Sequence, residues 1–179
     1  MNKRLVYFAP LLAAFGIGLI LYTAIGKDPT KLETARKDDP FPSFLLADLH
    51  QPERVRTETD LAGKIRLVNV WATWCPSCKA EHGYLQALSD SGINIVGLNY
   101  KDERTAALQW LQQLGNPYEF VIDDPKGSLG FDLGVYGAPE TYVVDAMGVV
   151  HYRHVGEVNE RVWASTLKPM LTKLGLKGL

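Results

Sequence analysis

IRLVNVWATWCPSCKAE, Ile65 to Glu81, is the stretch that decides the fold of this chain of 179 residues. Its first half, Ile65 to Ala72, is a short apolar run rich in β-branched residues and reads as a buried strand. Pro76 suits the first turn of a helix, where its missing N–H has no intrahelical acceptor to lose. From Pro76 to Ser89 the spacing is helical, with Glu81, Tyr84, Leu85 and Leu88 on one face and Gly92 beyond the end. INIVGLNY, Ile93 to Tyr100, reads as a second buried strand, so the three segments make a βαβ unit. The only two cysteines, Cys75 and Cys78, fall in the turn from strand to helix.

C-x-x-C at that place is the pattern of a thioredoxin-like redox site. Backbone N–H groups and the positive end of the helix dipole favour a thiolate at Cys75, and the thiolate is the form that attacks disulfides. Cys75 is expected to be the more exposed nucleophile at the cap, with Cys78 beneath it as the resolving thiol. Three other readings of the pair stand beside this one. A structural zinc needs about four ligands, and His50, His82, His151 and His154 show no paired spacing with the cysteines. A purely structural bridge closing so short a loop would contribute only about 2 kcal/mol. Two inert buried thiols are disfavoured wherever thiols are oxidised.

Glu81 lies three residues after Cys78, which on a helix places it under the second cysteine. A carboxyl group there is desolvated, its pKa rises, and it can exchange a proton with Cys78. The alternative is a Glu81 turned to solvent and paired with Lys79. His82 reads as an exposed helix residue.

Downstream, Glu103 to Leu114 has helical spacing closed by Gly115, and Tyr118 to Ile122 reads as a third strand. Glu140 to Asp145 and Val149 to Val155 read as a hairpin joined through Ala146, Met147 and Gly148. Asn159 caps a final helix with Trp163, Leu167, Met170, Leu171 and Leu174 on one face, interrupted at Pro169. In GVYGAPETYVVD, Gly134 to Asp145, the Ala138-Pro139 pair opens a strand and is a candidate cis peptide. Facing a dithiol, that loop can pair with an extended peptide of a partner; the alternative is an ordinary glycine turn.

The N-terminus carries a different signal. Lys3 and Arg4 precede 22 uncharged residues, Leu5 to Gly26, which as a helix would span about 33 Å against a bilayer core of about 30 Å. The expectation is a cytoplasmic tail over residues 1–4, a transmembrane anchor over 5–26, a polar linker over 27–39 and a domain over 40–179. A cleaved signal peptide is the alternative, with Ala24-Ile25-Gly26 as its site. The basic residues ahead of the span put the domain outside the cytoplasm. With 46% apolar residues, 22% charged and a formal net charge of −1, the composition is globular and lacks the basic field that nucleic acid requires.

WATWCPSCKAE and GVYGAPETYVVD together, with NYKDERTAALQWLQQLGNPY and HVGEVN, resemble the CcmG/DsbE family, the membrane-anchored thioredoxin-like proteins of cytochrome c maturation. The resemblance runs from about Phe41 to Leu174. It implies an α/β thioredoxin fold, a central mixed sheet flanked by helices, preceded by one N-terminal transmembrane helix. It implies redox-active Cys75 and Cys78, a cis Pro139, acidic Glu81 and Glu140 near the dithiol, and a substrate-binding surface of Trp74, Pro76, Ala138, Pro139 and Glu140. No cofactor and no metal are implied. Family members are reductants on the periplasmic side of the bacterial inner membrane. They keep the haem-attachment cysteines of apocytochrome c reduced, directly or through a partner thiol protein, and draw electrons from a membrane thiol carrier of the DsbD or CcdA kind. Ser77 and Tyr142 stand where threonine and phenylalanine are common. A general disulfide oxidase or isomerase, and a non-catalytic docking module, are the competing functions.

Overall fold

The computed structural model describes residue 10, residues 12–19 and residues 37–176. The chain divides into two units, Met1–Leu32 and Glu33–Leu179. In the first, residues 12–19 are helical, with Leu12, Phe15, Ile17 and Leu19 exposed. Among the described residues no helix is long and apolar enough to cross a membrane. Most of the expected anchor over 5–26 lies outside the described residues.

The second unit is built on a six-stranded mixed sheet. In chain order its strands are β1 (Asp39–Pro40), β4 (Arg66–Trp71), β5 (Ile95–Tyr100), β6 (Val121–Asp124), β7 (Glu140–Val144) and β8 (Val149–Val155). They lie side by side as β1-β8-β7-β4-β5-β6. β4 is parallel to β5 and antiparallel to β7, which makes it the strand where the parallel and antiparallel halves meet. A separate small hairpin joins β2 (Leu46–Ala47) to β3 (Val55–Arg56). Pro40 sits on the edge strand β1, where a missing donor is tolerated.

All six residues of β4 are buried, as a central strand covered on both faces requires. Its alternation sends Leu67 and Trp71 to one apolar cluster and Val68 and Val70 to the other. The first cluster takes Leu85 and Leu88 of helix α1 (Pro76–Asp90) and Ala107 and Leu111 of helix α2 (Arg104–Leu114). The second lies under helix α3 (Ser128–Leu133), through Leu129 and Leu133. This is the expected thioredoxin-like arrangement, a mixed sheet with helices on both sides.

Two sequence expectations are corrected, one helix is added and one expected break is located. The third strand runs Val121–Asp124, later than Tyr118 to Ile122, because Tyr118 turns its ring into the first cluster. Helix α3 was not anticipated. The expected interruption of the C-terminal helix near Pro169 takes the form of a π-helical turn: α4 (Glu160–Val162), capped by Asn159, leads into Trp163–Leu167 and then α5 (Lys168–Lys173). Pro169 has no N–H to return to the preceding turn, and the helix widens just ahead of it. His82 is buried, because α1 turns it against Trp110, 5.0 Å between rings, and its Nε2 meets the Gly115 carbonyl at 2.9 Å.

Candidate active site

β4 delivers the chain to the N-terminus of α1 through a loop tied down at two points. The Thr73 N–H and hydroxyl both donate to the Asp102 carboxylate, at 2.6 and 2.7 Å, and the Trp74 indole N–H donates to the Lys101 carbonyl at 3.0 Å. Cys75 is the N-cap of α1 in extended conformation, and Pro76 occupies the first helical turn. Cys75 and Cys78 form a disulfide with Cα atoms 5.3 Å apart. The Cys78 N–H donates to Cys75 Sγ at 3.1 Å, the bond that would stabilise a thiolate there once the disulfide opens.

The expected exposure of Cys75 is corrected in this oxidised form. Cys75 retains 3% of its surface and Cys78 1%, so the order is as anticipated but the difference is small. Both cysteines belong to the apolar cluster around Trp71. Trp74, 53% exposed, is the large apolar surface beside them.

Ala138–Pro139 is a cis peptide. Val70 faces Glu140 at the end of the β4–β7 register, so Ala138-Pro139 leads into β7 at the same end of the sheet from which β4 runs into the cysteine loop. Ala138 packs against the cluster that contains both cysteines. Glu140, by contrast, is wholly buried. Its carboxylate takes two bonds from Arg153 at 2.8 Å each, one from the Tyr142 hydroxyl at 3.0 Å and one from the Tyr136 N–H at 2.9 Å. Burial, with the Glu140 carboxylate next, pushes the Tyr142 hydroxyl far above its usual range. Glu140 thus fixes the loop ahead of Pro139 from inside the protein.

Glu81 is 2% exposed, one helical turn beyond Cys78. Its two oxygens each meet a donor: Asn69 Nδ2 at 2.9 Å and the Val158 N–H at 2.7 Å. Burial raises its pKa from the ordinary 4.5 to about 7, a rise that these two donors restrain and Glu157 reinforces. The solvent-facing alternative for Glu81 is excluded. Among the described residues no group of three or more His, Cys, Asp or Glu is arranged to hold a metal ion.

Asn69, Tyr118, Asp102, Val158 and Arg153 went unnoticed in the sequence. Asn69 had a readable signal, since a lone amide inside the apolar run LVNVW must find partners. Asp102 and the Val158 N–H had none, because their role depends on where loops close.

Residues 36–171 match the family model described as Redoxin. The chain is 49% identical over 179 residues to the thiol:disulfide interchange protein DsbE of Vibrio cholerae, covering 97% of each chain. It is 52% identical over 170 residues to that of Yersinia pestis, covering 94% of this chain and 90% of the other. The chain belongs to the DsbE family of thiol:disulfide interchange proteins. A solved structure described as a DsbE protein of Chlorobium tepidum superposes with a TM-score of 0.66 at 26% identity, over 78% of this chain and 98% of that one.

Membership in the DsbE family and the Cys75–Cys78 pair make the chain a thiol:disulfide oxidoreductase. Thiol–disulfide exchange runs in either direction; toward reduction of a partner, a thiolate attacks the partner's disulfide sulfur, a mixed disulfide forms and one partner thiolate leaves. The second thiol of the pair then attacks the first sulfur, closing the internal disulfide and releasing the other partner thiolate. In that direction two electrons pass to the partner, and the protons of the two thiols balance those taken up by its sulfurs; the reverse sequence oxidises the partner.

Proposed function

We propose that this oxidoreductase is a reductant for cytochrome c assembly, held at the periplasmic face of the bacterial inner membrane by the apolar N-terminal segment. Its substrates are the haem-attachment cysteines of apocytochrome c, met directly or through a partner thiol protein. A membrane thiol carrier of the DsbD or CcdA kind returns its electrons. A c-type haem is attached at C-x-x-C-H, and a disulfide between those cysteines blocks thioether formation, so an oxidising compartment needs a protein that reopens it.

Cys75 is the attacking thiol in this reading and Cys78 the resolving one. Glu81 takes the Cys78 proton as it attacks. Trp74, Pro76 and the Ala138-Pro139 backbone form the surface on which the partner's extended segment lies, and Glu140 holds that backbone in place. The observation that carries the reading is the buried Glu81, held near neutral pKa one turn from Cys78 in a chain of the DsbE family.

The test is the reduction potential of the full chain in detergent, equilibrated with glutathione or dithiothreitol buffers. A reductant falls toward the thioredoxin end of the scale, about −270 mV. A value near about −120 mV, the DsbA end, would overturn the proposal in favour of a general oxidase.

A further inference from the structure

Glu81 rests on an amide that is itself fully specified. Asn69 is wholly buried in the middle of β4, on the face that packs against α1. Its Oδ1 accepts from the Tyr118 hydroxyl at 2.9 Å. Its Nδ2 donates to Glu81 Oε1 at 2.9 Å and to Thr141 Oγ1 at 3.1 Å. Both hydrogens of the amide are thereby used, and the hydroxyl on the other side sets which end faces Glu81. Burial raises the Tyr118 pKa well above its ordinary value, so this hydroxyl stays a donor.

The fold makes room for this arrangement. Gly97 is the register partner of Asn69 on β5, and a Cβ there would lie 3.0 Å from the Tyr118 ring and 2.9 Å from the Trp71 indole nitrogen. The absence of that one carbon lets the Tyr118 ring pass β5 and reach Asn69.

We infer that Asn69 is a positioning residue for Glu81, its amide oriented by Tyr118 and Thr141 so that one N–H is held against carboxyl oxygen Oε1. Together with the Val158 N–H on Oε2, it favours the carboxylate, whereas burial and the neighbouring Glu157 favour the acid. The balance leaves a carboxyl group able both to take and to release a proton near neutral pH. Without the amide, burial prevails and Glu81 stays protonated, unable to accept the Cys78 proton. That last consequence rests on the proton-transfer role proposed above; the placement of Glu81 by Asn69 does not.

The test uses the full chain in its disulfide form, so that no thiol titrates. The Glu81 side-chain carboxyl carbon is followed by 13C NMR against pH, with Glu81→Gln identifying the resonance. A hydrogen bond to a charged group is worth enough to move the midpoint by about one to two pH units, upward in Asn69→Leu. Asn69→Asp, which removes the N–H and adds a second carboxyl, moves it upward too. Tyr118→Phe leaves Asn69 in place but frees its amide to turn, and gives a smaller upward movement; it carries the test if Asn69 variants do not fold. Loss of stability with an unmoved Glu81 midpoint in these variants would overturn the inference, since a merely structural Asn69 predicts that result. The pH profile of disulfide exchange by Glu81→Gln is the separate readout of proton transfer. An unchanged profile there refutes the proton role while leaving the NMR result to decide on Asn69.

Discussion

Replacing Glu81 by Gln alters how stability depends on pH, in a direction and by an amount that the structure fixes. In the folded oxidised protein the carboxyl holds its proton to about pH 7, against 4.5 as its ordinary value. Below about pH 4.5 both folded and unfolded chains are protonated at this site, and it imposes no penalty. As the pH rises, the unfolded chain ionises first, and the folded state loses stability until the pH passes about 7. At 1.36 kcal/mol per pH unit the full loss is about 3 kcal/mol, undiluted by solvent because Glu81 is 2% exposed. The glutamine does not titrate. It turns an NH2 toward one of the two N–H donors, at a cost of about 1–3 kcal/mol that is the same at every pH. The quantity to measure is therefore the difference in unfolding free energy between the two proteins, by urea denaturation of the disulfide form from about pH 4 to about pH 8. It should be flat at the acid end, move about 3 kcal/mol in favour of Gln through the window between 4.5 and about 7, and level off. A flat difference, or one moving in favour of Glu as the pH rises, would refute the reasoning.

Arg153→Met should destabilise the fold by about 3–5 kcal/mol, because it leaves the wholly buried Glu140 carboxylate without its cation; urea midpoints read the loss. Gly97→Ala should cost about 1–3 kcal/mol by the same assay, since its methyl meets Trp71 and the Tyr118 ring; it should also raise the Glu81 titration midpoint by displacing the Tyr118 hydroxyl from Asn69.

The redox loop was legible in the sequence because its signal is local. A short apolar run rich in β-branched residues over β4 gives way to helical spacing at Pro76, and the cysteines sit at the change. Helix α3 was hidden for an equally local reason: six residues with Gly127 and Gly134 at its ends and Gly130 within carry too little helical preference to read. Its start is instead specified from β6, where Asp124 accepts from the Ser128 and Gly130 N–H groups at 2.8 and 2.9 Å. Those same acidic residues, Asp123 and Asp124, disguised the end of β6 as a loop. His82 was misjudged because one polar residue on a helix face carries no sign of what the loop after α2 brings against it. Within the site, Cys75, Cys78 and Glu81 followed from helix spacing. Asn69, Tyr118 and the Val158 N–H are brought to Glu81 by three separate elements, and their convergence exists only once the sheet is assembled.

The central claim is that Cys75 attacks and Cys78 resolves. It is tested most directly by offering an oxidised peptide containing C-x-x-C-H to reduced Cys78→Ser and reduced Cys75→Ser proteins, and separating the products without reductant. The account predicts that Cys78→Ser accumulates a stable mixed disulfide through Cys75, while Cys75→Ser captures little. Equal capture by the two variants, or capture through Cys78 alone, would contradict it.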